Sequence, residues 1–338
     1  MEAGRAVQGR MMDKLRSHLP ELIGLALLAL WPLSAGNFGV DLVGKIMIFA
    51  IFALSLELLV GATGLVCFGQ AAFFGVGAYA AVLLTPASGD PASVFWILPA
   101  AVLLAMAYAL FVGALSLRTQ GVYFIMVTLA FAQMAYYVAH DTPLGGGSDG
   151  IYLTAKPLAA IGSLVLADLD KPLPFYYFTL FCLAAAYLKL ALLLRSRFGR
   201  ALAGIKANEQ RMRATGFSTY PYKLAAFAVS GALAGLAGFL FAVKDGVVNP
   251  ELLSWHFSGA VLIMIILGGL GHLRGAVIGA FAFTLLQEFF KSEGLFGAWS
   301  KHWLLGMGLA IIACVALLPQ GLVGLPMLWK KRLAGGNE

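Results

Sequence analysis

LSLELLVGATGLVCFGQAAFFGVGAYAAVLL, residues 54–84, holds a single charged side chain, Glu57, and is punctuated by Gly61, Gly64, Gly69, Gly75 and Gly77. So apolar a stretch belongs in lipid. Lipid requires every backbone N–H and C=O to be satisfied internally, so a segment broken by glycine must be buried in protein or line a cavity. With the amide of Gln70 at its centre, the stretch reads in two ways. It lines a polar path for a small solute, or its glycines let a neighbouring helix approach closely.

The rest of the chain repeats this character. Apolar residues make up 61% of the 338 positions and charged residues only 12%, with a mean hydropathy of +0.88; a soluble domain carries about 25% charged residues. Forty glycines fit close helix packing and broken helices. The net charge of +7 does not indicate a nucleic-acid partner, because the basic residues cluster at the chain ends and between apolar runs, where they flank membrane lipid. Cys67, Cys182 and Cys314 lie inside apolar runs without metal-ligand spacing and read as small core residues.

A membrane-crossing helix needs about 20 apolar residues. Spans are expected near 20–36, 42–60, 66–85, 94–115, 121–139, 175–194, 223–243, 257–270, 275–290 and 303–319. Arg5, Arg10, Lys14, Arg16, Arg118, the basic residues of 195–213 and Lys330, Lys331 and Arg332 all fall on one side if there are ten spans, and that side is cytoplasmic. This parity requires 257–290 to be two segments turning between Gly268 and Gly275. The expected class is therefore an all-α polytopic membrane protein with about ten transmembrane segments, some glycine-broken, and both termini cytoplasmic. Residues 1–19 form a cytoplasmic segment, 20–320 a single transmembrane domain and 321–338 a cytoplasmic tail. Leu22–Leu30 followed by Pro32 and Gly36 also resembles a cleavable signal peptide; an uncleaved first span serves the parity equally well.

No phosphate loop, HExxH, GxSxG or paired-cysteine motif is present, which argues against an enzyme. The five histidines are dispersed near span ends. Charge inside a membrane is costly and marks function by default. Glu57, near the cytoplasmic end of the second span, is either such a site or close enough to the interface to reach water. No acid sits at a midplane, as an ion-coupled carrier would need, so the energy source is expected on another chain. The remaining deep polar residues are Thr63, Gln70, Thr128 and Gln133, which with Glu57 are the candidates for a translocation path.

The longest polar island is GRALAGIKANEQRMRATGFSTYPYKLAAF, residues 199–227. Six basic residues and one acid, Glu209, fall within 195–213. Leu202, Ile205, Glu209 and Met212 lie along one face at helical spacing, Thr215-Gly216 is a stop signal and Pro221 can begin the next helix. A short helix over 201–214 is expected, lying on anionic headgroups or docking a soluble partner.

Together with LRTQGVYFIMVTLAFAQM (117–134) and GGSDGI (146–151), these two stretches resemble the M-type permease family of ABC importers for branched-chain amino acids. The likeness spans roughly residues 40–320. The resemblance implies that residues 195–222 are a coupling loop docking an ATPase, with Gly199, Arg200, Ile205, Lys206, Asn208, Glu209 and Gly216 at the matching positions. Lys206 replaces an arginine, Gly204 an alanine and Ala207 a glutamate of the family pattern; Glu57 stands where asparagine is common and Gln70 where histidine is common. It further implies a half-transporter of the inner membrane without a cofactor of its own. ATP is bound by two ATPase subunits, and a second homologous permease and a periplasmic or lipid-anchored solute-binding protein complete the importer. An ion-coupled secondary transporter is the alternative.

Overall fold

The structure is a computed structural model that describes residues 21, 23–34, 36–86, 93–161, 164–292, 301–318 and 320–324. The expected cytoplasmic segment 1–19 and the basic residues Lys330, Lys331 and Arg332 lie outside the described residues.

The chain is helical wherever apolar residues run without interruption. Six helices are long and apolar enough to cross a membrane among the described residues: α2 (Asn37–Glu57, continued by a π-helical turn Leu58–Thr63), α4 (Val94–Ser116), α5 (Val122–Asp141), α6 (Pro172–Arg195), α9 (Thr219–Asp245) and α11 (Leu273–Lys291). Four shorter apolar helices accompany them: α1 (Ile23–Ser34), α3 (Gln70–Leu83), α10 (Trp255–Gly268) and α12 (Trp303–Leu317). At about 1.5 Å per residue, α3 and α10 are about 21 Å long, short of a hydrocarbon core of about 30 Å. Each expected segment thus coincides with a helix, but among the described residues six have the length to span unaided.

Residues 257–290 do turn where parity required it. α10 stops at Gly268, the chain reverses through Gly269 and Gly271, both at positive φ (116° and 86°), and α11 begins at Leu273. A Cβ at Gly268 would strike the Gly275 carbonyl, so the two helices touch backbone to backbone.

The core lies along α2 and α9. Over their most apolar stretches these are 83% and 78% buried, against 22–33% for α4, α5, α6 and α11. α9 packs against both α3 and α4 through small residues. A Cβ at Gly77 would meet the Gly235 backbone, and one at Gly238 would meet the Phe74 carbonyl. Gly77 of the opening stretch therefore serves close approach, the contact that drives helix association when lipid removes the hydrophobic incentive, whereas Gly64 takes a left-handed backbone position at φ +76°. Phe52, Phe74 and Phe257 join α2, α3 and α10, with ring centroids 4.7–5.5 Å apart. Leu304, Leu305, Leu309 and Ile312 of α12 and Phe95, Trp96 and Phe111 of α4 are exposed, as lipid-facing side chains are.

The loop after α5 is pinned by pairing. β1 (Ile151–Tyr152) pairs antiparallel with β4 (Val247–Val248) beyond α9, and β2 (Leu158–Ile161) pairs with β3 (Leu164–Asp168). Gly150, at φ +74°, lies where a Cβ would meet the Val248 carbonyl. The run Gly145–Gly147 and Gly150 accordingly has a structural reason that composition alone read only as a turn.

Candidate functional site

The polar island folds as two helices rather than one. α7 (Arg197–Ala207) is capped by Ser196, whose hydroxyl accepts from Gly199 N at 3.5 Å. Asn208 then leaves the helix (φ −163°, ψ 99°), and its side chain accepts from Arg211 N at 2.9 Å, capping α8 (Glu209–Ala214). An asparagine side chain competes with the helical backbone for N–H groups, which makes it a strong N-cap and a weak helix interior. α8 closes with Gly216 at φ +83°: Gly216 N donates to Arg213 O and Phe217 N to Met212 O, at 2.9 and 3.1 Å. That pair of hydrogen bonds is the left-handed glycine cap, which satisfies two carbonyls at the helix end.

Glu209 ties this pair to α9. Its Oε1 accepts from Arg213 Nη2 at 2.7 Å, from Thr219 Oγ1 at 2.8 Å and from Lys223 Nζ at 2.8 Å. Burial pushes the Glu209 carboxyl up, but the bonds from Lys223, Thr219 and Arg213 outweigh it and hold the group below its ordinary value of 4.5. Leu202 and Ile205 are buried and Met212 packs over Gly204. Three of the four residues expected on one face therefore do turn inward, and Glu209 joins them through ion pairs.

Lys206 reaches the membrane-spanning region. Its Nζ donates to the Gly61 carbonyl at 2.7 Å, one of the carbonyls left over at the end of the π-helical turn. A cation there also meets the negative end of the α2 dipole. Gly199 sits against the Leu194 backbone, where a Cβ has no room. Arg200 is exposed.

Glu57 lies one turn before Gly61 and is only 3% exposed. It does not reach water. Its Oε1 instead accepts from Gly271 N in the α10–α11 turn at 2.7 Å. Glu57, Gly61, Leu194, Ala203, Lys206 and Leu273 are among the residues lining an open cleft of about 520 Å³ between the end of α2, α7 and that turn.

The other polar candidates sit apart from the cleft. Gln70 is fully buried, and its Nε2 donates to Ser55 Oγ and Ser230 Oγ at 2.7 and 2.9 Å, joining α2, α3 and α9. Thr63 returns its hydroxyl to Leu59 O within the π-helical turn. Thr128 of α5 accepts from Phe68 N at 3.3 Å, and Gln133 is half-buried further along α5. The structure thus brings Glu57 and Lys206 to one cleft and leaves Gln70, Thr128 and Gln133 elsewhere. Sequence reading missed Ser55, Ser230, Thr219, Lys223 and Gly271. Each is an ordinary helix or turn residue until its long-range partner is known.

Comparison with known proteins gives this arrangement a family. Residues 39–315 match the family described as branched-chain amino acid transport system / permease component. The high-affinity branched-chain amino acid transport system permease protein LivM of Escherichia coli K12 is 30% identical over 94% of this chain and 78% of that protein. LivM of Salmonella typhimurium is 29% identical over 90% of the chain and 74% of that protein. The xylose transport system permease protein XylH of Escherichia coli K12 is 29% identical over a shorter stretch, 35% of this chain and 30% of that protein. No solved structure matches. With the match running from the first turn of α2 to the last turn of α12, the chain belongs to the permease components of branched-chain amino acid transport systems.

Proposed function

We propose that this chain is the membrane half-transporter of an ATP-driven importer for branched-chain amino acids or closely related small polar solutes. The observation that carries the reading is likeness to LivM sustained over 94% of the chain. The polar two-helix segment supports it: a rigid, capped, salt-bridged pair, α7 and α8, stands against the end of α2, a suitable transmitter of motion from a soluble partner. Under this reading residues 195–222 dock an ATPase subunit. Arg200, Asn208 and Glu209 present or shape the docking surface, Ile205 and Gly199 hold α7 to the membrane helices, and Gly216 sets the exit angle. Two ATPases, a second homologous permease and a periplasmic or lipid-anchored binding protein complete the assembly in the bacterial inner membrane. Ten membrane segments with both termini cytoplasmic remain the proposed topology, α1, α3, α10 and α12 being the short segments. Glu57, Thr63, Gln70, Thr128 and Gln133 are the proposed polar positions of the path. ATP shifts the population of inward- and outward-facing states only by binding them unequally, and that binding is assigned to the partner subunits.

The test is uptake of labelled leucine into proteoliposomes holding the chain with its permease, ATPase and binding-protein partners. Uptake is expected to require ATP and all components. Uptake driven by a proton or sodium gradient in vesicles holding this chain alone would establish the ion-coupled alternative instead.

A further inference from the structure

We propose that Glu57 receives the motion of α7 through Lys206. When the cleft between the end of α2, α7 and the α10–α11 turn closes, Lys206 exchanges its bond to the Gly61 carbonyl for an ion pair with Glu57. The inference rests on the transport reading above and adds to it a positioning contact between the two-helix segment and the membrane helices.

The two groups converge on one residue. Lys206 Nζ donates to Gly61 O at 2.7 Å. The Glu57 carboxylate folds back over the same glycine: a Cβ at Gly61 would strike Oε1 and stand 3.4 Å from Oε2. Oε1 is committed to Gly271 N, whereas Oε2 is buried and has no hydrogen-bond partner among the described residues. Lys206 is the positive charge that acts on Glu57, and both residues line the cleft. No ion pair joins them among the described residues. Because Oε2 is closed to solvent, a soluble ligand does not reach it. The donor it lacks has to come from the chain itself, and Lys206 is the ammonium at hand.

A buried carboxylate oxygen without a donor is costly. Bringing the ammonium onto Oε2 supplies the donor and joins opposite charges beside low-dielectric lipid, where their attraction is least screened. That gain exists only while the cleft is closed, so the pair shifts the population toward the closed state. Lys206 has the means to move. Its four-carbon stem is flexible, it stands two residues before the break in the helix at Asn208, and the open cleft of about 520 Å³ leaves it room. Glu57 also holds Gly271 N. Closure therefore draws α7, the end of α2 and the α10–α11 turn together, and a push on the two-helix segment reaches two membrane elements through one side chain.

The experiment measures labelled-leucine uptake per ATP hydrolysed in proteoliposomes holding the assembled transporter. Wild type is compared with Glu57→Gln, Lys206→Met and the double variant. Glu57→Gln keeps an acceptor for Gly271 N, and a melting temperature close to wild type shows that the fold is retained. Each single variant is expected to lower the ratio about tenfold, and the double variant to fall no further, since either change breaks the same pair. Lys206→Arg, which keeps the cation, is expected to recover at least about half of the uptake that Lys206→Met loses; a packing role alone would give no such recovery. Losses that multiply to about a hundredfold in the double variant overturn the proposal, as does a wild-type ratio in Lys206→Met. No ATP-dependent uptake by wild type rejects the transport reading and this role with it, whereas wild-type uptake with multiplying losses rejects this role alone.

Discussion

Glu209 shows how one residue can carry a segment. Its single oxygen collects Arg213, Thr219 and Lys223, and the Lys223 side chain is only 6% exposed. Glu209→Ala leaves that ammonium buried without its anion, at a cost of about 1–3 kcal/mol, and a lowered thermal unfolding midpoint in detergent measures it. The double variant with Lys223→Met is expected to recover most of the loss, since a removed pair costs less than a broken one. Glu209→Lys adds repulsion to the loss and is expected to abolish coupling of ATP hydrolysis to uptake in the assembled transporter while the chain still inserts. pH acts on the same carboxyl. Because its folded value is depressed, its contribution is complete above the ordinary 4.5 and declines as pH falls through the lower folded value. The protection factors of the α8 amides, taken relative to the intrinsic exchange rate at each pH, should therefore fall on acidification below about 4.5 in wild type. In Glu209→Gln they should show no such step. Glu57 teaches a different lesson: its chemical type flagged it in the sequence, but whether it met water or a buried partner depended on Gly271, 214 residues away.

At the scale of elements, local chemistry and distant contact each leave a mark. Asn208 breaks the expected 201–214 helix in two, and the signal was present in its residue type; the apolar spacing on either side concealed it. The Gly216 stop and the Gly268–Gly275 turn were legible because a left-handed backbone position is nearly reserved for glycine. Close packing was legible only as a possibility. Gly77 reads the same as any membrane glycine until Gly235 is found against it. Gly77→Val is expected to cost at least about 1–3 kcal/mol, because backbone on the far side cannot yield as a side chain would. Expression and melting temperature should both fall. Gly259→Ala, in α10 with nothing near its Cβ position, is expected to leave both unchanged or slightly raised, and comparable damage from the two substitutions would contradict the packing described.

Over the whole molecule, α2 and α9 form a buried axis, with α3 and α10 as short helices packed on it and α4, α6 and α12 turning apolar faces outward. The polar pair α7–α8 emerges at the end of α2 where Gly61 accepts Lys206. The proposed topology puts this pair in the cytoplasm. Single cysteines introduced between 200 and 220 should resist an impermeant thiol reagent added outside intact cells and react in inverted vesicles; the opposite pattern would reverse the orientation. Composition and the spacing of apolar runs were enough by themselves to determine a many-helix membrane protein, the place of its helices and its polar island. These follow from the cost of exposing charge or bare backbone to lipid, a cost each segment meets alone. Which helices form the axis, that Gln70 joins Ser55 to Ser230, and that Glu57 and Lys206 share one cleft were decided only by tertiary structure. Those outcomes depend on which backbone comes within about 3 Å of which side chain, and no local pattern of residues encodes that distance.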